Sequence, residues 1–328
     1  MNYTIFGESH GPAVGAVLTG VPAGLEPDWD FIRAELARRA PGQSALTTAR
    51  RETDEPEVIS GLFEGKTTGA PLTVLIYNND TRSRDYGQLK TVPRPGHADY
   101  AGWVASGGHR DYRGGGHFSA RVTAPLVFAG ALAKQLLREK GVSVTAAITR
   151  VGGVERPTPE QLEQVILAAK GDKDSVGGVI SCAVTGLPAG LGAPDLDCNV
   201  EGTFARYLFA VPAVKGIQFG AGFALADMRG SQANDPFYFD GDTVRTRTNP
   251  AGGINGGITN GMPVTFDLAF RPTPSIAREQ DSVDLATGEN TKLLIRGRHD
   301  PCVLPRALVV VESAAALASW EILNNTLR

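Results

Sequence analysis

Thr19-Gly20-Val21-Pro22-Ala23-Gly24-Leu25 recurs as Thr185-Gly186-Leu187-Pro188-Ala189-Gly190-Leu191. Each copy ends a stretch that reads as a strand, and each precedes an Asp-led helix, at 27–39 and near 197–211. A strand, a turn and a helix therefore occur twice in the same order, which predicts a duplicated α+β unit: two similar halves in one domain.

Outward from the first copy, residues 3–10 and 15–21 read as strands. The helix at 27–39 has Asp28 and Asp30 at its positive end and Phe31, Leu36 and Ala37 as its buried stripe. Residues 57–63 and 71–77 read as strands joined by a turn at 65–69, and 78–92 as polar loop. Residues 122–140 form a strongly apolar helix, with Gly141 as its C-cap. Around the second copy, Thr158-Pro159-Glu160-Gln161 is a capping box opening a helix to 169. Strands are predicted at 216–225 and 262–270, a glycine-rich loop at 251–261, and a closing helix at 306–327.

The 328 residues are 42% hydrophobic and 20% charged, enough to bury a sizeable core. A net charge of −3 gives no global field to recruit nucleic acid or a membrane surface. No apolar run is expected to reach the length of a bilayer span. Cys182, Cys198 and Cys302 are scattered and odd in number, which speaks against disulfides and a structural metal site and points to a reducing cytoplasm.

Positive charge is concentrated locally, above all in RPGHADYAGWVASGGHRDYRGGGHFSAR, residues 94–121, which holds three of the five histidines, four arginines and seven glycines. With almost no aliphatic residue it reads as neither core strand nor amphipathic helix. So much glycine in an ordered loop is costly in backbone entropy and is kept for function. The stretch is expected to bring backbone N–H groups, imidazoles and guanidiniums around a flat anionic ligand. Asp99 is placed to orient His97, and His299-Asp300 repeats the theme.

Two near-motifs carry less. GESHG (7–11) matches the G-x-S-x-G pattern of serine hydrolases, but Pro12 and Gly15 follow where a helix is needed. It is left as a turn or as a site role for His10, with a Ser9 nucleophile as the outside reading. GLFEGKT (61–67) is one residue short of a P-loop, and Gly69 and Pro71 forbid the phosphate-binding helix, so it reads as a hairpin turn.

Taken together, FGESHG (6–11), GVPAGL (20–25), RRAPGQSALTTARRETD (38–54), SGLFEGKTTGAP (60–71), RPGHADY (94–100), RDYRGGG (110–116), SAR (119–121), GLPAGLGAP (186–194), RGSQAND (229–235), AGGINGG (251–257), RPTPSI (271–276) and GRHDPC (297–302) resemble chorismate synthase over essentially the whole chain. The resemblance implies a single domain, 1–328, with an α+β fold: a β-α-β sandwich with two similar halves. It implies a 1,4-elimination of phosphate from 5-enolpyruvylshikimate 3-phosphate, reduced FMN that is not consumed, and a homotetramer. The flavin is reduced either by the chain with NADPH or from outside, and the compact length favours an outside source.

By the same resemblance His10 is the flavin-facing acid. His97 is the imidazolium that eases phosphate departure, and Asp300 helps move the ring proton through flavin N5. Arg39, Arg110 and Arg121, with Arg50, hold the substrate's anionic groups, as bidentate guanidiniums suit carboxylates and phosphate. The flavin's contacts are expected from His117, Phe118, Ser119, Ala213, Gly256, Arg271, Pro272, Thr273, Pro274, Ser275 and Arg298.

The chain departs from the family pattern in places. Only five residues precede FGESHG, so an opening strand is expected to be mostly missing. Ala40 replaces an arginine, and His117 and Phe118 replace an arginine and a serine at the flavin site. An extra residue falls within 106–109. Arg271 stands for a lysine and Pro274 for a serine. The changes at 117–118 keep an alternative open: a paralogue that binds flavin or shikimate-type anions without the elimination.

Overall fold

The computed structural model describes residues 1–42, 46, 52–79, 83–193, 199–295 and 299–326, with backbone alone at 83–85 and 325–326. In chain order the elements are β1 (Asn2–Gly7), β2 (Ala13–Thr19), α1 (Trp29–Arg39), β3 (Pro56–Ser60), β4 (Leu62–Phe63), β5 (Lys66–Thr67), β6 (Leu72–Tyr77), α2 (Asp99–Ala105) and α3 (Thr123–Arg138). There follow β7 (Ser143–Val151), β8 (Val154–Glu155), α4 (Pro159–Gly171), β9 (Gly178–Thr185), α5 (Val200–Phe209), β10 (Val214–Phe219) and α6 (Gly230–Ala233). The last are β11 (Phe237–Asp240), β12 (Thr243–Thr246), β13 (Ile254–Asn255), β14 (Ile258–Thr259), β15 (Val264–Phe270), β16 (Glu279–Asp284), β17 (Glu289–Leu294) and α7 (Leu304–Thr326).

Two antiparallel sheets, ordered β1-β2-β6-β3 and β10-β15-β9-β7-β8, enclose a helical layer. α3 packs on β2 and β6, α7 on β7 and β9, α5 on β10, and α1 against both α3 and α7. Each sheet turns its alternate apolar residues inward, such as Val14, Ala16 and Leu18 of β2 and Ile180, Cys182 and Val184 of β9, so one continuous core runs from sheet to sheet.

Between the sheets α3 and α7 cross so closely that a Cβ on Gly130 would overlap the Ser313 side chain. Replacing Gly130 with alanine therefore destabilises the fold by about 1–3 kcal/mol through overpacking, despite alanine's better helix propensity. Thermal unfolding checks this, and a stabilised variant would contradict the crossing.

The two PAG turns are held alike. Thr67 Oγ1 accepts from Leu25 N at 3.0 Å and donates to Pro22 O at 2.6 Å. Thr259 Oγ1 accepts from Leu191 N at 2.9 Å and donates to Pro188 O at 2.7 Å. Each threonine also binds its turn through the backbone, with Gly24 N to Thr67 O at 2.7 Å and Gly190 N to Thr259 O at 2.8 Å. Each sits on a short hairpin, β4-β5 or β13-β14, and each turn precedes a helix capped by a carboxylate or amide, Asp28 or Asn199.

Several expectations need correction. The β1 strand is present and pairs with β2 along its whole length. In α1 the buried residues are Ile32, Glu35, Leu36 and Arg39, whereas Ala37 is exposed. Charge is buried there because Glu35 and Glu312 of α7 bracket Lys134 and Arg38 in one ion-paired group. The cap of α5 is Asn199, and Asp197 lies outside the described residues. Residues 94–121 contain a helix, α2, led by Asp99. Leu304–Asn324, with mean hydropathy 1.4, is long and apolar enough to cross a membrane, against the expectation that no run is. Because 83% of that window is buried, it is the protein's core helix.

Candidate active site

The β1–β2 connection carries Ser9 and His10, both buried. It is fastened to the triple-glycine segment by a hydrogen bond from Ser9 N to Gly116 O at 3.1 Å. Gly114, at φ +58°, lays bare backbone against the His10 ring, and a Cβ there would overlap the imidazole. On its other side Tyr86 meets His10 edge-on, centroids 5.0 Å apart. The chain then enters β2 rather than a helix, so Ser9 does not sit on a nucleophile elbow.

Asp99 organises the second wall. Buried in the first turn of α2, it accepts Arg94 N at 3.1 Å, Arg94 Nε at 2.6 Å and Arg110 Nη1 at 3.2 Å. Its Oδ1 also lies 2.9 Å from His97 Nδ1. Burial opposes ionisation, but the hydrogen bonds from His97 and Arg94 hold the Asp99 carboxyl well below the usual carboxylate range. Asp99 accepts a hydrogen bond from His97 Nδ1–H and leaves Nε2 for a ligand. Arg94 also donates from Nη1 to Ser275 Oγ at 3.0 Å.

The third wall is a pair of buried arginines joined by Asp54. Arg39, at the end of α1, donates from Nε to Asp54 Oδ2 at 2.8 Å, and Arg121 Nη1 binds Asp54 Oδ1. Arg121 also donates from Nε to Asn78 Oδ1 at 2.7 Å and from Nη2 to Tyr77 O at 3.0 Å. Burial pushes the Arg39 guanidinium down to about 10, with Asp54 opposing, so it stays charged. Opposite, Arg271 N donates to Ala213 O at 3.0 Å and its guanidinium binds Gly96 O, tying residues 271–275 to the His97 wall. Asp300 accepts from Arg306 Nη1 at 2.6 Å, and Arg306 Nε donates to Arg39 O at 2.9 Å.

These walls enclose a cavity of about 210 Å³. His10, His97 and Asp300 all line it, with Arg39 and Arg121. So do Phe118, Ser119 and Ala213, and Arg271, Thr273, Pro274 and Ser275. Four expected residues do not. Arg110 is turned away, spent on Asp99 and on Leu89 O at 2.9 Å. His117 donates from Nδ1 to Gly7 O at 2.9 Å and so braces the β1 end. Gly256 sits at the exposed tip of β13-β14, and Pro272 faces away between lining neighbours. Arg50 and Arg298 lie outside the described residues.

Asp54, Arg306 and His299 also belong to the site; of these only His299 is singled out in the sequence, as a repeat of the His97 theme and without a role of its own. Asp54 and His299 lie inside the motifs already singled out, RRETD and GRHDPC, but nothing in spacing says that Asp54 bridges two arginines 82 positions apart, Arg39 and Arg121.

Burial pushes His97 below its usual pKa, with Arg94 and Arg271 adding and Asp99 opposing. Burial and Arg94, against Asp300, push His299 down to about 4. In the ligand-free protein both imidazoles are thus shifted toward the neutral form. Since the unfolded chain binds these protons more readily, stability falls as pH drops below about 6.5, the ordinary histidine value. The melting temperature should be lower at pH 5 than at pH 7, and the difference smaller in His299→Gln. An equal drop in both proteins would contradict the burial argument.

Three buried polar atoms on the cavity residues have no hydrogen-bond partner among the described residues: Arg39 Nη1, Thr273 Oγ1 and His299 Nε2. Unpaired buried donors are costly and signal a missing partner. One is a fixed cation and two are neutral, a donor set suited to ligands that carry anionic groups on a planar polar ring.

A family model of chorismate synthase matches residues 1–324. The chorismate synthase of Thermococcus gammatolerans is 47% identical, covering 96% of this chain and 94% of its own. That of Methanothermobacter thermautotrophicus is 46% identical over 96% and 90%, and that of Chitinophaga pinensis 48% over 96% and 92%. A solved structure described as "Crystal Structure of Chorismate Synthase" superposes with a TM-score of 0.75 at 27% identity, covering 99% of this chain and 92% of that one. With matches running from end to end and a cavity where the motif residues meet, the chain belongs to the chorismate synthase family, and its activity is that of a chorismate synthase, a phosphate lyase.

Proposed function

We propose that this cavity binds 5-enolpyruvylshikimate 3-phosphate beside reduced FMN and carries out the 1,4-elimination that releases phosphate and forms chorismate. The observation that carries this reading is the meeting of His10, His97 and Asp300 with Arg39 and Arg121 in one enclosed space. The substrate's phosphate and carboxylates match Arg39, whose Nη1 has no partner among the described residues, and Arg121. Reduced FMN, when bound, supplies an electron-rich ring that is regenerated in each turnover.

The chain's own groups divide the remaining work. Residues 271–275 are the flavin wall by family resemblance, and Arg271 and Arg94 tie that wall to Gly96 and Asp99. This favours His97 as the flavin-facing imidazole and leaves His10, against Gly114, for the departing phosphate, the reverse of the division expected from the motifs alone. An anion arriving beside His97 offsets the burial and the arginines that keep it neutral, so its proton is taken up on binding. Asp300, oriented by Arg306, is the group for the ring proton.

We infer further that the domain is single, 1–328, and that its two sheets are the halves of a duplicated unit, supported by the matching threonine-held turns. A homotetramer is what the family resemblance implies, and the exposed Phe223, Phe237 and Phe239, 83%, 68% and 77% accessible, are apolar residues that a second copy could cover. Incubating the protein without oxygen with substrate and chemically reduced FMN should release phosphate and chorismate together. No chorismate under those conditions would reject the reading.

A further inference from the structure

His299 is used by none of the steps above, yet it lines the cavity with a buried Nε2 that has no partner among the described residues. The neighbouring guanidinium, Arg94, is committed: Nε and Nη2 to Asp99 at 2.6 and 3.0 Å, Nη1 to Ser275 at 3.0 Å. Asp300, next in the chain, is held by Arg306. Nothing described in the protein thus completes His299, and leaving a buried imidazole nitrogen unmatched costs about 1–3 kcal/mol.

The nature of the missing partner follows from charge. Arg94 and burial keep His299 neutral, with a pKa pushed down to about 4. Phosphate and carboxylates are better served by the charged Arg39 and Arg121, which line the same cavity. The other neutral orphan, Thr273 Oγ1, belongs to the 271–275 wall, the wall that Arg94 joins through Ser275. A neutral donor–acceptor pair at that wall matches the imide edge of a planar heteroaromatic ring, which alternates carbonyl and N–H groups and carries no full charge there.

We propose that His299 Nε2 hydrogen-bonds directly to the edge of the isoalloxazine ring of bound FMN. The proposal rests on the reading that the cavity holds FMN.

Titration of oxidised FMN into the protein, followed by quenching of flavin fluorescence, tests it without turnover. His299→Ala should weaken FMN binding about tenfold, the loss of one buried hydrogen bond. His299→Gln, which keeps a donor and an acceptor, should recover most of that loss. Should the alanine variant fail to fold, His299→Leu fills the space and is expected to show the same tenfold loss. Unchanged FMN affinity in the alanine or leucine variant overturns the proposal. So does unchanged FMN affinity combined with a raised KM for the shikimate substrate, which would give His299 to the substrate instead. Failure of the unaltered protein to bind FMN would overturn the flavin reading itself, and this proposal with it.

Discussion

Replacing His97 with alanine slows chorismate formation by about 10²–10⁴-fold, the usual loss for a removed general acid. The size of the effect follows from how much structure serves this one ring. Asp99 fixes the tautomer, Arg94 and Arg110 hold Asp99, and Ser275 anchors Arg94 from the adjoining wall. None of these partners can replace the imidazole, because each is already hydrogen-bonded. The loss should fall on kcat more than on the KM of the shikimate substrate, since the arginines that bind anions sit on another wall. Steady-state kinetics with excess reduced FMN checks this, and a wild-type kcat in the variant would remove His97 from the mechanism. His10→Ala should cost a similar factor, because Gly114 and Tyr86 hold its ring against the cavity.

Much of this site is legible in the residues alone, and the reasons for what is not are physical. His10, His97 and Asp300 stand out because each is a titratable group beside glycine, proline or arginine in a segment too polar for the core. The capping box at Thr158 is legible because its two hydrogen bonds are local. Arg110 is not, since its neighbours suggest a ligand while its guanidinium turns back to Asp99, eleven residues away. The α2 helix escapes a periodicity argument because Asp99, its first residue, is stabilised by two arginines and a histidine rather than by an apolar stripe. His117 looks like a cofactor donor at its position in the motif, yet its partner is the carbonyl of Gly7, 110 residues earlier. For His117 the deciding partner is distant in sequence, and for Arg110 and α2 it is a polar neighbour at no regular period, so hydrophobic pattern carries no information in either case.

Asp54→Ala should produce the largest loss of stability at this site, about 3–5 kcal/mol, the cost of breaking a buried ion pair from one side. Asp54 is the shared counter-ion of Arg39 and Arg121, and all three are almost wholly buried. Although burial raises its pKa, the two guanidiniums outweigh it and keep the carboxyl ionised. Without the carboxylate, two guanidiniums face each other across a water-poor space, with Glu52, 4.0 Å from Arg121 Nη2, the remaining carboxylate beside them. An anion entering the cavity is then worth more to the variant than to the parent protein. Inorganic phosphate at 100 times its dissociation constant should restore about 2.7 kcal/mol by mass action. The expected pattern is a lowered melting temperature, a larger phosphate-induced rise than in the unaltered protein, and turnover that stays depressed. Turnover does not recover because phosphate supplies charge but cannot set the spacing of the two guanidiniums. A melting temperature within about 2 °C of the parent, too small for a lost buried pair, would mean that Asp54 is not the counter-ion that holds this arginine pair.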